Sequence, residues 1–332
     1  MLPGYWRHTM ALGPDPDGEG TLEATLVRRG DPDPRAARAV LVVHGFTDYF
    51  FHTELADHFG DRAFALYALD LHKCGRSRRE GQTPHFTTDL ARYDTELQRA
   101  VEIIASESGQ PPLLIYGHSA GGLIVSLWLD RVRRNRRSTA QHISGLVLNS
   151  PWLDLHGPAV LRTAGASAAI GTVSRIRKRL VVRAPVPEGG YGSTLHRDFY
   201  GEFEYNLEWK PIGGFPVTFG WLNAIRRGQA RLHRGLDVGV PNLILRSDHS
   251  VSESGDGAAL LRGDAVLDVT QIARWAGCIG NRTTMVPIAD AKHDVFLSLA
   301  EPRRAAYREL DRWLDWYVDW LNTGTQTRIE RR

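Results

Sequence analysis

Six short, unbroken apolar runs recur along the chain, at residues 38–45 (RAVLVVHG), 64–71 (FALYALDL), 111–118 (PPLLIYGH), 144–151 (SGLVLNSP), 240–247 (VPNLILRS) and 282–289 (RTTMVPIA). Apolar runs of this length without polar alternation are the pattern of strands buried on both faces, as in a parallel sheet. Before them, residues 4–12 and 20–30 flank the turn-rich GPDPDGEG and predict an antiparallel pair joined by a loop. Between the runs lie helical patterns. In 86–108, Leu90, Tyr93, Leu97, Val101 and Ile104 fall at three- and four-residue steps, and near the C-terminus Ala306, Leu310, Leu314, Tyr317 and Leu321 repeat the spacing. The order predicts an α/β fold: a mostly parallel eight-stranded sheet, doubly wound with right-handed crossovers and flanked by helices.

The rhythm breaks between the fourth and fifth apolar runs, where the chain is longer than one crossover helix requires. This stretch holds the Gly- and Pro-rich pieces RAPVPEGGYG and KPIGGFP and the aromatics Phe199, Tyr200, Phe203, Tyr205, Trp209, Phe215, Phe219 and Trp221. It reads as a cap over the sheet. The expected organisation is a core at 1–150 and 239–332, interrupted by a cap or lid at 151–238.

Composition narrows the class. Of 332 residues, 42% are hydrophobic and 24% charged, which fits a globular protein and not a disordered or fibrous one. The formal charge of +3 is too small to point to nucleic acid. Basic residues nevertheless gather at Arg131, Arg133, Arg134, Arg136 and Arg137, and again at Arg175, Arg177, Lys178, Arg179 and Arg183. Such clusters are either solvated surface or sites of attraction to an anionic substrate or lipid surface. Cys74 and Cys278 are the only cysteines, and no stretch reaches the ~18 apolar residues of a membrane span, so a reducing, cytoplasmic setting without an integral membrane segment is expected.

Within this frame the third run leads directly into Gly117-His118-Ser119-Ala120-Gly121 and then AGGLIVSLWLDRV, with Leu123, Val125, Leu127 and Trp128 available to face inward. A strand, Gly-x-Ser-x-Gly and a helix in succession form the nucleophile elbow. The serine sits on a sharp turn, with small residues at Gly117 and Gly121 because neighbouring backbone crowds in. Ser119 then projects from the carboxyl end of the strand, beside the amides that open the next helix.

A serine hydroxyl needs a base, and the base a group to orient it. In this arrangement they follow in the order serine, acid, histidine, at the ends of later strands. His293 stands in the loop after the last run. For the acid, Asp248 follows the fifth run directly and Asp264 lies further on, with Asp268 and Asp294 as lesser alternatives. One helix and one strand should separate acid from base, about 25 to 30 residues. Asp264 is 29 residues before His293 and Asp248 is 45. Spacing therefore favours Asp264, which also directly precedes the helix-like VLDVTQIARWAG, and makes SDHSVSESGDGAALLR an insertion. For a developing oxyanion, the amide of Ala120 supplies one donor and that of Phe46, after His44-Gly45, the second. His44, Gly45, Gly117, His118 and Gly121 shape the loops around them.

LVVHGFTDYF, ALDLHKCGRS, YGHSAGG and AKHDVFLS together resemble the α/β-hydrolase superfamily, nearest its serine aminopeptidase, monoacylglycerol lipase and lysophospholipase-like branch. The resemblance covers nearly the whole chain except a divergent cap, and matches Asp70, Gly75 and Ser77 to the branch's motif after the second apolar run. Ala120 stands where that branch commonly has methionine or glutamine, and the insertion before Asp264 is unusual. The resemblance implies carboxylic ester hydrolysis through an acyl-enzyme, on a monoacylglycerol, lysophospholipid or similar acyl ester, with no metal or organic cofactor; peripheral contact to a lipid surface is a reading that the basic clusters leave open. A peptidase, a thioesterase or a cofactor-free haloperoxidase would use the same residues, and a non-catalytic binding protein would share the fold.

Overall fold

The computed structural model describes residues 3–135, 141–186, 189–253 and 257–329. In chain order the elements are β1 (Tyr5–Pro14), β2 (Thr21–Arg29), β3 (Arg38–Val43), α1 (Thr53–Asp61), β4 (Phe64–Asp70), α2 (Asp94–Ser108), β5 (Leu113–His118), α3 (Ala120–Arg134), β6 (Ile143–Asn149), α4 (Ala164–Ile176), β7 (Val181–Arg183), β8 (Val217–Thr218), α5 (Phe219–Leu232), β9 (Asn242–Ser247), α6 (Gly257–Leu260), α7 (Val269–Trp275), β10 (Thr283–Ile288) and α8 (Ala300–Ile329). Eight strands form one sheet in the order β1-β2-β4-β3-β5-β6-β9-β10. The pairs β1/β2 and β2/β4 are antiparallel and all others in the sheet are parallel. The antiparallel pair at the edge and the six apolar strands are those the sequence pattern predicts.

Strands β3, β5 and β6 are mostly apolar and almost wholly buried because helices cover both faces. One core layer packs α2, α3 and α5 against the sheet through Leu97, Val101, Ile104, Leu123, Leu127, Trp128 and Ile225. The other packs α1 and α8 through Leu55, Phe59, Ala306, Leu310, Leu314 and Tyr317. Two helix starts differ from the pattern. Leu90 and Tyr93 are buried but lie in a 3-10 turn capped by Asp89, so the regular helix begins at Asp94. Asp264 does not open a helix: α7 starts at Val269, where the Asp268 side chain accepts the Thr270 amide.

Segment 151–238 contributes no strand to the main sheet. Its β7 and β8 pair only with each other. Its aromatic side chains Tyr205, Phe203 and Trp209 pack with Tyr49, Phe51 and Leu297 into a separate apolar cluster. No helix among the described residues is long and apolar enough to cross a membrane.

The first basic cluster is taken up by ion pairs: Arg131 with Asp94, Arg133 with Asp237, and Arg134 with Asp130. Arg136 and Arg137 lie outside the described residues.

Candidate active site

All the residues of interest stand where parallel strands end, the edge at which open α/β sheets place their ligands. Leaving β5, Ser119 takes φ 52°, ψ −119°, a conformation non-glycine residues seldom adopt. The surroundings hold it there: its amide donates to Asn149 O at 3.0 Å and its carbonyl accepts from Trp152 N at 3.0 Å, so the end of β6 braces the turn on both sides. Close packing dictates the glycines. A Cβ on Gly121 would lie 2.3 Å from the His44 carbonyl oxygen, and one on Gly117 would lie 2.8 Å from Gly122 Cα.

Three side chains meet, one from the turn after β5, one from the segment between β9 and α7 and one from the loop after β10. Ser119 Oγ donates to His293 Nε2 at 2.9 Å, and His293 Nδ1 donates to Asp264 Oδ2 at 2.9 Å. Asp264 is fully buried, and its other oxygen accepts the amides of Val266 and Leu267, both at 2.8 Å. Asp248 goes elsewhere: it is 40% exposed, accepts from the His249 ring at 2.7 Å and from the Asp290 amide, and does not approach His293. Asp268 is the cap of α7. Backbone bonds tie Asp264 to the residues just after β9: Asp264 N donates to His249 O and Val251 N donates to Asp264 O.

The loop after β3 is equally determined. His44 Nδ1 donates to Gly45 O at 2.8 Å while its Nε2 accepts the Leu71 amide at 3.1 Å, tying this loop to the end of β4. Buried Asp48 accepts from Lys210 Nζ at 2.9 Å. Burial would raise the Asp48 carboxyl, but Lys210 and the nearby His52, His118 and His44 outweigh it and hold it well below the usual carboxylate range. At the end of β4, Asp70 accepts from Phe50 N and from the Arg76 amide and guanidinium, and Ser77 Oγ donates to its carbonyl. Asp70, Gly75 and Ser77 therefore form a structural knot under the loop. Phe46 lies against Trp221 of α5 with ring centroids 4.1 Å apart, and Trp152 is 5.4 Å from the same indole, which makes an aromatic wall beside Ser119.

A second set of groups surrounds His293. Buried Asp294 accepts from His52 Nε2 at 3.0 Å, Asn149 Nδ2 at 2.7 Å and Phe296 N at 3.0 Å, and its own amide donates to Tyr191 OH at 3.0 Å. Burial opposes its ionisation, yet His118, His52 and Asn149 hold the carboxyl far below its ordinary range. Burial pushes His118 down to about 4, against the pull of Asp294, so it is neutral at neutral pH. Its Nδ1 donates to Asn149 O at 3.1 Å. Lys292 Nζ donates to Thr194 O in segment 151–238 at 2.8 Å, and burial lowers that amine to about 8. The sequence offers Asp294 only as a lesser acid candidate, and His52, Asn149, Tyr191, Asp48 and Lys210 carry no local signal, because their partners are far away in sequence.

In this conformation the site is covered, with Ser119 8% and His293 3% exposed. Tyr191 stands edge-on to the His293 ring at 5.6 Å. A cavity of about 690 Å³ is lined by Tyr49, Phe51, His52, Arg76, Trp209 and Leu297 among others. Among the described residues no group of three or more His, Cys, Asp or Glu is placed to hold a metal ion.

Comparison with known proteins agrees with this architecture. A monoacylglycerol lipase of Mycolicibacterium smegmatis (strain ATCC 700084 / mc(2)155) is 30% identical over 158 residues, 47% of this chain and 49% of that relative. The match thus spans about half the relative's length. Among solved structures, a soluble variant of monoglyceride lipase from Saccharomyces cerevisiae superposes with a TM-score of 0.64 at 16% identity, covering 93% of this chain and 94% of that one. A thermostable carboxyl esterase from Bacillus coagulans gives 0.61 at 13% identity over 94% and 99%. At such identities the likeness establishes the α/β-hydrolase fold. Residues 34–262, more than half of the chain, match the family described as serine aminopeptidase, S33, and the chain belongs to that family.

Proposed function

We propose that the protein is a serine hydrolase of carboxylic esters with Ser119 as nucleophile, His293 as base and Asp264 as orienting acid. The observation that carries this reading is the unbroken hydrogen-bonded line from Asp264 through His293 to Ser119 Oγ, with both links at 2.9 Å. His293 Nε2 takes the hydroxyl proton as Oγ attacks the ester carbonyl. The Asp264 carboxylate fixes the Nδ1–H tautomer and stabilises the imidazolium that forms. The amides of Phe46 and Ala120 hold the oxyanion, the latter at the N-terminus of α3, where the helix dipole favours negative charge. Collapse expels the alcohol, which takes its proton from His293. Water, deprotonated by the same ring, then attacks the acyl-Ser119 ester, releasing the acid and returning the proton to Oγ. This chemistry calls for neither metal nor organic cofactor.

Segment 151–238 is the cap of this enzyme in our reading. Its Trp221 and the neighbouring Phe46 and Trp152 offer an apolar wall for an acyl chain, in keeping with a lipid-like ester such as the monoacylglycerol named for the mycobacterial relative. The test is labelling by a fluorophosphonate probe together with turnover of p-nitrophenyl esters of graded chain length. Wild-type protein is labelled and hydrolyses the esters, and Ser119→Ala is neither labelled nor active. Absence of labelling in the wild type, or equal labelling of Ser119→Ala, overturns the proposal.

A further inference from the structure

The loop that carries the Phe46 amide is held by the sheet at its two ends and by segment 151–238 in between. At one end His44 Nε2 accepts the Leu71 amide at 3.1 Å, and at the other Phe50 N donates to Asp70 Oδ1 at 3.0 Å. Among the described residues, every hydrogen bond that reaches residues 46–49 from outside this loop comes from residues 206–215. Lys210 Nζ donates to Asp48 Oδ1 at 2.9 Å and to Thr47 O at 3.3 Å, Phe215 N donates to Thr47 Oγ1 at 2.9 Å, and Asn206 N donates to Tyr49 OH at 2.7 Å.

The grip falls where the backbone needs it. Thr47, next to Phe46, has φ 52°, a left-handed conformation that is costly for a residue with a side chain and persists only where its surroundings impose it. Asp48 Oδ2 accepts the Gly45 amide at 3.4 Å, so the carboxylate that Lys210 holds also closes the turn around Phe46. The turn lies against Ser119, since a Cβ on Gly45 would be 3.0 Å from Ser119 Cβ. Both Lys210 and Asp48 are buried, and the ammonium has the rings of Phe51 and Tyr205 at 5.7 and 5.8 Å. Little solvent is left to screen this ion pair, so the positions of the two segments it joins are tightly linked.

We infer that Lys210 is a positioning residue of the reaction: from segment 151–238 it fixes the Thr47 carbonyl and the Asp48 carboxylate, and through them the aim of the Phe46 amide at the oxyanion. This rests on the hydrolase reading and adds to it that segment 151–238 takes part in the chemical step. The test compares kcat and KM for p-nitrophenyl butyrate with the affinity for phenylboronic acid, whose tetrahedral adduct on Ser119 Oγ places a negative oxygen where the oxyanion forms. Lys210→Met keeps the apolar stem and removes the ammonium. Its kcat falls about 10²-fold, the scale of a lost oxyanion donor, while KM moves less than about twofold and phenylboronic acid binds weaker by a factor close to the loss in kcat. Lys210→Arg, which offers Asp48 a charged fork, returns kcat to within about tenfold of wild type. Lys210→Met/Asp48→Asn leaves no unpaired buried carboxylate and is read beside the single variant, with thermal unfolding to show that each is folded. It too is slow, because the Thr47 carbonyl remains unheld. Wild-type kcat in Lys210→Met or in the double variant, a loss of kcat/KM carried by KM, or a Lys210→Arg as slow as Lys210→Met overturns the inference while the wild type stays labelled and active. A wild type that a fluorophosphonate does not label fails the hydrolase reading itself, and this inference with it.

Discussion

Asp264 Oδ2 lies 2.9 Å from Nδ1 of His293, whereas Asp248, the first residue after β9, is turned toward His249 and the Asp290 backbone. Asp264 is fastened beside the end of β9 by backbone bonds to His249 and Val251. If Asp264 orients the base, Asp264→Asn exchanges the acceptor facing Nδ1–H for an amide that favours the wrong tautomer. A drop in kcat of about 10³- to 10⁴-fold is expected. Asp248→Asn, at an exposed position, changes kcat less than about twofold. Steady-state kinetics of the two variants on one p-nitrophenyl ester decides between them, and a larger loss for Asp248→Asn would show that this geometry is not the working one.

The sheet was legible because β3 to β6, β9 and β10 are short apolar runs set between helical or turn-rich stretches, a local property. Ser119 announces itself through its neighbours, since only a tight turn crowded by the His44 carbonyl requires Gly121. Asp264 meets His293 at the separation that spacing favours, whereas the helix expected directly after it begins only at Val269. The support around the base was not legible: Asp294 meets His52 across 242 residues and Asn149 across 145, and no window of sequence contains both members of either pair. The GPDPDGEG loop reads as a turn, yet its Asp15 and Glu19 hold the buried Lys73 at 2.7 and 2.8 Å. Long-range pairing of charges leaves no periodicity to read.

The imidazole of His118 gives the protein an acid sensitivity of definite sign. Burial places it at about 4, below its ordinary 6.5, so between those values the unfolded chain binds a proton that the folded one refuses. Stability from this group is complete above about pH 6.5 and is lost as pH falls toward 4, by about 3 kcal/mol in all. Urea unfolding of wild type and His118→Gln across this range tests it. The variant shows a flatter dependence on pH, and an unchanged slope would assign the titration to another group.

Gly121→Ala places a Cβ against the His44 and Val43 carbonyl oxygens, at 2.3 and 2.7 Å before any adjustment. Backbone cannot yield as a flexible side chain can, so α3 and the Phe46 loop must move apart. A destabilisation of about 1 to 3 kcal/mol is expected from such overpacking. Separation of the Phe46 and Ala120 amides also lowers kcat by about 10²-fold or more, the scale seen when one oxyanion donor is lost. Thermal unfolding and kcat measured on the same preparation distinguish the two effects. Wild-type values for both would mean that the turn relaxes without cost.

Asp294 stands next to His293 and ties its loop to three other parts of the fold: the start of α1 through His52, β6 through Asn149 and segment 151–238 through Tyr191. Removing the carboxylate in Asp294→Ala strands the His52 and Asn149 donors in a buried site, which costs about 1 to 3 kcal/mol for each. Asp294→Asn retains an oxygen for Asn149 Nδ2 and Phe296 N while setting an amide nitrogen opposite His52. That ring can answer by changing tautomer, so the cost falls to about 1 to 3 kcal/mol. Both variants loosen the peptide that carries His293, and kcat falls while KM for a short ester moves little, because neither side chain touches the acyl group. Adding His52→Ala to Asp294→Ala costs less than the sum of the two single changes, since the partner is already lost. Urea unfolding of the four proteins in this cycle measures the coupling, and strict additivity would show that the 3.0 Å contact between His52 and Asp294 contributes nothing to holding the base.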